Sequence, residues 1–239
     1  MPPVANTLIE TLPGVARDRL LALCEPVNLV SEEVLSVGDI PTRHVYFPRG
    51  SIVSLTTSTK NAPVLEVGMI GSEGMLGAQV VLGISSGTLH ACVSRSGPAW
   101  RVAAGPFNRE LIRSGALQRS LNRYLHVTMM QLISDIRCLH FHQIDQRLAR
   151  WLLMTHDRTH ANSFSVTQEL IAHLMGVRRV GITKAAGALQ RRGIIHYVRG
   201  HLTILDRKAL ELDACNCYAA EREVYARFLP QKTPSPSRQ

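Results

Sequence analysis

The sequence predicts an α+β fold: a β-rich N-terminal half, one long helix, and a C-terminal helical domain that ends in a two-stranded hairpin. Three observations carry this expectation. From about residue 31 to 107, short runs rich in Val, Ile, Leu and Thr alternate with Gly, Pro, Ser and Asn, as in an antiparallel β-sandwich or roll. From Leu117 to Leu139, apolar residues recur every three or four positions, the period of a helix. Further on, "GIIHYVRGHLTIL" holds two short apolar runs around Arg199-Gly200, a hairpin signal.

Size and charge set bounds. The chain has 239 residues, 45% hydrophobic, enough for a core and one or two domains. No uncharged apolar run of about 18 residues suggests a membrane span. The N-terminus shows no basic leader with an apolar stretch, and the five cysteines are odd in number and scattered. Reduced thiols in a cytoplasmic protein are expected. Net charge is +9. Residues 1–139 contribute +2 of it and residues 140–239 contribute +7. Such asymmetry points to a polyanion, nucleic acid before anionic membrane, with a merely basic soluble surface as the alternative.

The elements follow in order. Residues 7–30 read as helical, anchored by Leu8, Leu12, Leu20, Leu21 and Leu23 around a Pro-Gly break. The strands come next. After Pro106, residues Leu117, Leu121, Leu125, Met129, Leu132, Ile136 and Leu139 form a near-heptad seam. Its partner is the same helix of a second copy or the β-domain, and a 3.5-residue period favours the second copy. "CLHFHQ" (138–143) reads as a hinge. "IDQRLARWLLMTHD" is an amphipathic helix buried through Ile144, Leu148, Trp151 and Leu152; "RTHANS" is a loop, and "FSVTQELIAHLMG" starts another helix. Thr167 is its N-cap and Glu169 suits its first turn. The C-terminal "PQKTPSPSRQ" reads as a disordered tail.

The stretch from Gln168 to Ala185 places Ala172, Gly176 and Ile182 where two steeply crossing helices need a small residue, a left-handed turn and an aliphatic plug. This is a helix-turn-helix pattern. The second helix runs from about Arg178 to Arg191 and opens on two arginines, against the macrodipole at a cost of about 0.3–1 kcal/mol each. Such an end makes sense facing phosphates or guanine edges. Thr183 and Lys184 share its exposed face. Gly181 weakens the helix by about 1 kcal/mol, which a close approach to DNA backbone would explain. The hairpin, Ile194–Val198 and His201–Leu205, forms a wing whose tip offers Arg199 and His201 to phosphate. Thr167 and Gln168 complete the candidate DNA-binding set.

The segment "VTQELIAHLMGVRRVGITKAAGALQRRGIIHYVRGHLTILDRKALE", preceded by "DQRLARWLL", resembles the winged helix of the Crp/Fnr family of bacterial transcription regulators. The resemblance implies an N-terminal β-roll sensor domain (jelly-roll-like, similar to cyclic-nucleotide-binding domains) over 1–110. It also implies a dimerisation helix over 111–139, a winged-helix DNA-binding domain over 140–215, and a C-terminal helix and tail over 216–239. It implies a homodimer on a two-fold symmetric DNA site, with base readout at Arg179, Val180 and Lys184. Val180 stands where the best-known members carry an acidic residue; Val contacts a thymine methyl, not a cytosine amine. The expected partners are double-stranded DNA, a second copy of the chain, and RNA polymerase if the protein activates transcription, with no membrane partner.

The sensor region departs from cyclic AMP binders. The turn "GSEGMLG" offers Gly71, Glu73, Gly74 and Gly77 as effector-pocket candidates, with His90 further on. The family's ribose-binding glutamate falls on Ala78, and its phosphate-binding arginine on the stretch Leu89-His90-Ala91. Without that cation a buried cyclic phosphate lacks its charged partner, so control by cyclic AMP is not expected. Only Cys24 lies near the N-terminus, short of a four-cysteine iron–sulfur set. Cys215-x-Cys217 reads as packing in the absence of nearby ligands, with a thiol switch or metal site as the alternative. His140 and His142 sit at the expected hinge, with His156 and His160 further on; hinge histidines meeting solvent or phosphate are expected, with metal or haem ligation as the alternative. Glu66, Glu73 and Asp39 show no convergent nucleophile motif. No metal, cofactor or enzymatic activity is expected. A winged-helix scaffold for protein docking, without sequence-specific DNA binding, is the alternative function.

Overall fold

The computed structural model describes residues 5–57 and 65–229; the tail expectation for 230–239 lies outside them. Two short helices, α1 (Thr7–Glu10) and α2 (Gly14–Leu21), open the chain on either side of Pro13. Asn6 caps α1 by accepting from the Ile9 amide, and its amide donates to the carbonyls of Pro48 and Gly74. The helix expected up to residue 30 stops early, because Glu25–Leu29 is a strand, β1. Pro26 has no amide hydrogen to give a helix, and it sits on an edge strand, where prolines are tolerated.

Six more strands complete the β-domain: β2 (Val34–Ser36), β3 (His44–Pro48), β4 (Ile52–Thr57), β5 (Leu65–Ile70), β6 (His90–Arg95) and β7 (Gly97–Ala103). They form two antiparallel sheets, ordered β1-β7-β3 and β2-β6-β4-β5. Strand alternation decides the packing. Tyr46 points between the sheets, with Val53, Val93 and Ala99. Its neighbours Val45 and Phe47 face the helices and meet Phe107, Leu117 and Leu121.

Helix α3 (Ala104–Arg113) and the 27-residue α4 (Gly115–Phe141) are separate. Ser114 divides them, its hydroxyl capping α4 through the Leu117 amide. At 1.5 Å per residue α4 spans about 40 Å. Its seam is divided too. Leu117 and Leu121 are buried in the β-domain core and Leu125 packs against it, while Met129, Leu132, Ile136 and Leu139 are exposed. For the first two turns, packing on the β-domain therefore replaces the expected partner helix. Helix α4 also runs through most of the expected hinge, leaving only His142 and Gln143 between helices.

The C-terminal domain comprises α5 (Ile144–Thr159), β8 (Ser163–Ser165), α6 (Gln168–Met175), α7 (Arg179–Arg191), β9 (Ile195–Val198), β10 (His201–Ile204), α8 (Arg207–Asp213) and α9 (Asn216–Phe228). Helix α5 reaches Thr159, further than expected, and His160 ends it in the left-handed region. Ser163–Ser165, expected as the end of a loop and the lead-in to the helix capped by Thr167, is a strand added to the hairpin, giving the order β8-β10-β9. Leu148, Leu152, Ile171, Ile182, Leu189 and Leu210 form the core. Helix α9 returns to α4, where the Tyr225 hydroxyl donates to Gln131 and His126 meets the Phe228 ring edge-on.

A buried charge network joins the two halves. Arg158 on α5 donates to Glu73 (2.9 Å) of the β-domain and to Glu221 (3.3 Å) of α9. Arg150, two turns earlier on α5, donates to Glu221 (2.8 Å) and to Asp135 (2.6 Å) on α4. Burial holds the Asp135 carboxyl above its usual range against the pull of Arg150. Nearby, Glu66 of β5 accepts from the Trp151 indole (3.3 Å), and its other oxygen is shielded without a partner. Burial pushes the Glu66 pKa up to about 7.

Candidate nucleic-acid interface

Helices α6 and α7 are set by local chemistry. The Thr167 hydroxyl caps α6 at the Leu170 amide (3.1 Å). Gly176 ends α6 at φ +63°, a conformation that costs other residues about 1–2 kcal/mol. Ala172 and Ile182 are buried at the crossing. Ile182, Ala185, Ala186 and Leu189 bury one face of α7, which leaves Arg178, Arg179, Val180, Thr183 and Lys184 exposed on the other. Arg178 is the N-cap of α7 without a side-chain cap bond.

The wing tip is a two-residue turn. Arg199 (φ +49°) and Gly200 (φ +80°) both adopt the left-handed region, as a type I′ hairpin requires. Thr167, Gln168, Arg179, Arg199 and Gly200 line one shallow groove with Glu169 and Tyr197. The Thr183 hydroxyl donates to Gln168 (2.7 Å), linking α7 to the first residue of α6. His201 pairs with the Ser165 hydroxyl (3.0 Å) beside the tip. Helix α7 and the wing thus present one continuous basic edge.

Two features of this edge escaped the sequence reading. Glu169, placed there only for the helix dipole, forms an exposed ion pair with Arg179 (3.6 Å). Such pairs contribute about 0–1 kcal/mol, so a phosphate can displace it. Gly181 faces inward: a Cβ there would lie 2.8 Å from Ile144 Cδ1. Packing against α5 therefore also bears on this glycine.

Residues 146–212 match the family model of the Crp-like helix-turn-helix domain. The C-terminal domain belongs to this family. Over about four fifths of the chain the fold is similar to that of solved Crp/Fnr-type regulators. FixK2 from Bradyrhizobium japonicum superposes with a TM-score of 0.69 at 14% identity, covering 80% of this chain and 98% of its own. TTHB099, a CRP-family transcriptional regulator of Thermus thermophilus, gives 0.66 at 17% identity over 79% and 96%. TTHA1359, a CRP/FNR-family regulator of the same organism, gives 0.64 at 20% identity over 80% and 98%. No curated protein matches the sequence.

Outside the Crp-like domain, the structure spreads the effector-pocket candidates over several places. Glu73 is engaged by Arg158. Gly71 and Gly74 are packing points, where a Cβ would strike the Arg158 side chain and the Tyr124 hydroxyl. The Tyr124 hydroxyl in turn accepts from the Met75 amide (3.1 Å), and burial pushes its pKa up to about 12. Gly77 (φ +91°) opens a 3-10 turn, Ala78–Leu82. It also lines a cavity of about 300 Å³ between β5, that turn, α4 and α9. Ala78, Leu89 and Ala91 line the same cavity; His90 does not. Among the described residues the lining contains no Lys, Arg or His.

The cysteine reading changes. Cys215 and Cys217 do have ligand-type neighbours, because the end of α4 brings Cys138 and His142 against them. His140 is exposed, and His156 is held by Asn162 and Arg207. Asp39 lies in an exposed turn at φ +66°. Among the described residues no helix is long and apolar enough to cross a membrane.

Proposed function

We propose that the chain is a sequence-specific DNA-binding regulator of transcription. It acts as a homodimer on a two-fold symmetric operator and is not controlled by cyclic AMP in the usual way. The observation that carries this reading is the basic edge of α7 and the wing. Arg179 and Arg199 line one groove, and Arg178 and Lys184 stand exposed on the same helix, α7, and its N-cap, while the opposite face of α7 is buried in the domain core. Arg179 and Lys184 read bases, Val180 offers a methyl-to-methyl contact with thymine, and Arg178, Thr183, Arg199 and His201 hold phosphates. Thr167 and Gln168 flank the groove and support the backbone contacts.

The exposed half of α4 supports the dimer. Met129, Leu132, Ile136 and Leu139 continue the seam where the β-domain no longer covers it. A second α4 beside it would bury this stripe and set the two recognition helices one DNA turn apart. The cavity supports independence from cyclic AMP, because among the described residues its lining offers no cation for a cyclic phosphate. RNA polymerase is a partner in this reading only if transcription rises on binding.

Gel shifts of wild type and Arg179→Ala at two salt concentrations test the proposal. Wild-type affinity falls steeply with salt as counterions are released. The variant loses about 1–3 kcal/mol on a selected operator, several-fold to about a hundredfold in Kd. Salt-independent binding, or full affinity in the variant, would refute it, as would micromolar cyclic AMP binding by calorimetry for the effector claim.

A further inference from the structure

Cys138, His142, Cys215 and Cys217 form a compact group of four ligand-type side chains outside the basic edge. Their ligand atoms all lie within 4.8 Å of one another. Cys138 Sγ and Cys215 Sγ are 3.5 Å apart, and Cys217 Sγ and His142 Nδ1 are 3.6 Å apart. A tetrahedral zinc ion with Zn–S of about 2.3 Å and Zn–N of about 2.05 Å requires S···S near 3.8 Å and S···N near 3.5 Å. These two spacings match that geometry to within about 0.3 Å, and the remaining ones, all within 4.8 Å, need to close by at most about 1 Å.

The fold explains the convergence. Cys138 lies in the last turn of α4 and His142 is the extended C-cap that follows it, its amide donating to the Cys138 carbonyl, so the helix end holds the two close together. Cys215 is the N-cap of α9 and Cys217 its second residue. The two elements are 77 positions apart in sequence between Cys138 and Cys215, and they meet in a small cluster of their own. All three cysteines are buried and His142 is half-buried. Four protein ligands and no open position mark a structural site, not a catalytic one.

We infer that these four residues bind one zinc ion that pins the hinge between α4 and the C-terminal domain. Binding is balanced as Zn²⁺ plus three thiols and a neutral imidazole giving a three-thiolate, one-imidazole complex and three released protons. That complex carries a net charge of −1. Arg147 and Arg150 line the crevice beside Cys138 and face it. Arg150 Nε is buried without a hydrogen-bond partner, a donor left over for a metal-bound thiolate. The ion would tie the last turn of α4 to the α8–α9 junction, beside the two-residue link that joins α4 to α5.

Metal analysis of the full-length protein, purified anaerobically with zinc supplied, tests this directly and needs no DNA. One zinc per chain is expected. X-ray absorption should give three sulfurs at about 2.3 Å and one nitrogen at about 2.0–2.1 Å. Cobalt substitution should give the intense visible bands of a tetrahedral thiolate site. Cys138→Ser and Cys217→Ser should abolish stoichiometric zinc, while Cys24→Ser and Cys92→Ser should retain it. Metal-free protein would overturn the assignment, and so would six-coordinate oxygen ligation, bound iron with sulfide, or a Cys138–Cys215 disulfide. Equal loss of zinc in the Cys92→Ser control would overturn it as well. If the cluster variants fail to fold, the absorption and cobalt spectra of the wild type decide.

Discussion

Replacing Glu221 with alanine should destabilise the protein by about 3 kcal/mol, and the structure says why. Glu221 is 7% exposed and accepts from two guanidinium groups, Arg150 at 2.8 Å and Arg158 at 3.3 Å. Removing one partner of a buried pair costs about 3–5 kcal/mol, because the remaining charge is stranded. The lower end applies here. Arg158 keeps Glu73 and the carbonyls of Met69 and Met154, and Arg150 keeps Asp135. For a chain of this size about 3 kcal/mol corresponds to a Tm drop of roughly 6–12 °C. Urea unfolding at low and high salt is the assay. The loss should be nearly the same at both, since buried pairs are poorly screened. A loss under about 1 kcal/mol, or one that vanishes in salt, would show that Glu221 acts as a surface residue and that the network does not hold the halves together.

Other outcomes follow from the same geometry. Glu66 binds its proton more tightly folded than unfolded, so stability should fall as pH rises from about 4.5 through about 7. Glu66→Gln should remove up to about 3 kcal/mol of that slope, read from urea midpoints at pH 5 and pH 8. Leu121→Ala should cost about 2–5 kcal/mol of stability. Ile136→Glu should convert the sedimenting species to monomer and remove the protein-concentration dependence of Tm that a dimer carries; a stable dimer in this variant would refute the seam. Glu169→Gln frees Arg179 and removes a carboxylate from the groove, so DNA affinity should rise several-fold in a low-salt gel shift.

Much of this was legible in the sequence because it rests on short-range rules. Thr167, Gly176 and Ile182 announce the helix-turn-helix by cap, turn and plug, and Arg199-Gly200 announces the wing. Periodicity shows that a helix has an apolar face but not what covers it. That is why Leu117 and Leu121 could be taken with Met129 and Ile136, although the β-domain buries only the first pair. Gly181 was ambiguous for a similar reason, since Ile144 lies on a different helix. The network of Glu73, Asp135, Arg150, Arg158 and Glu221 left no local signal, because its members look like ordinary surface charges until the fold removes water from them. The pairing of Cys138 and His142 with Cys215 and Cys217 likewise depends on α9 returning to α4, which no spacing encodes.

Two copies of α7, one from each protomer, should read two half-sites. Selecting operators from random duplexes with the full-length protein, then footprinting the enriched sequence, measures it directly. The enriched sequence should be an inverted repeat whose half-sites are centred about 10–10.5 base pairs apart, with protection lost on Arg179→Ala. Enrichment of a single unrepeated site, or of no sequence at all, would contradict it.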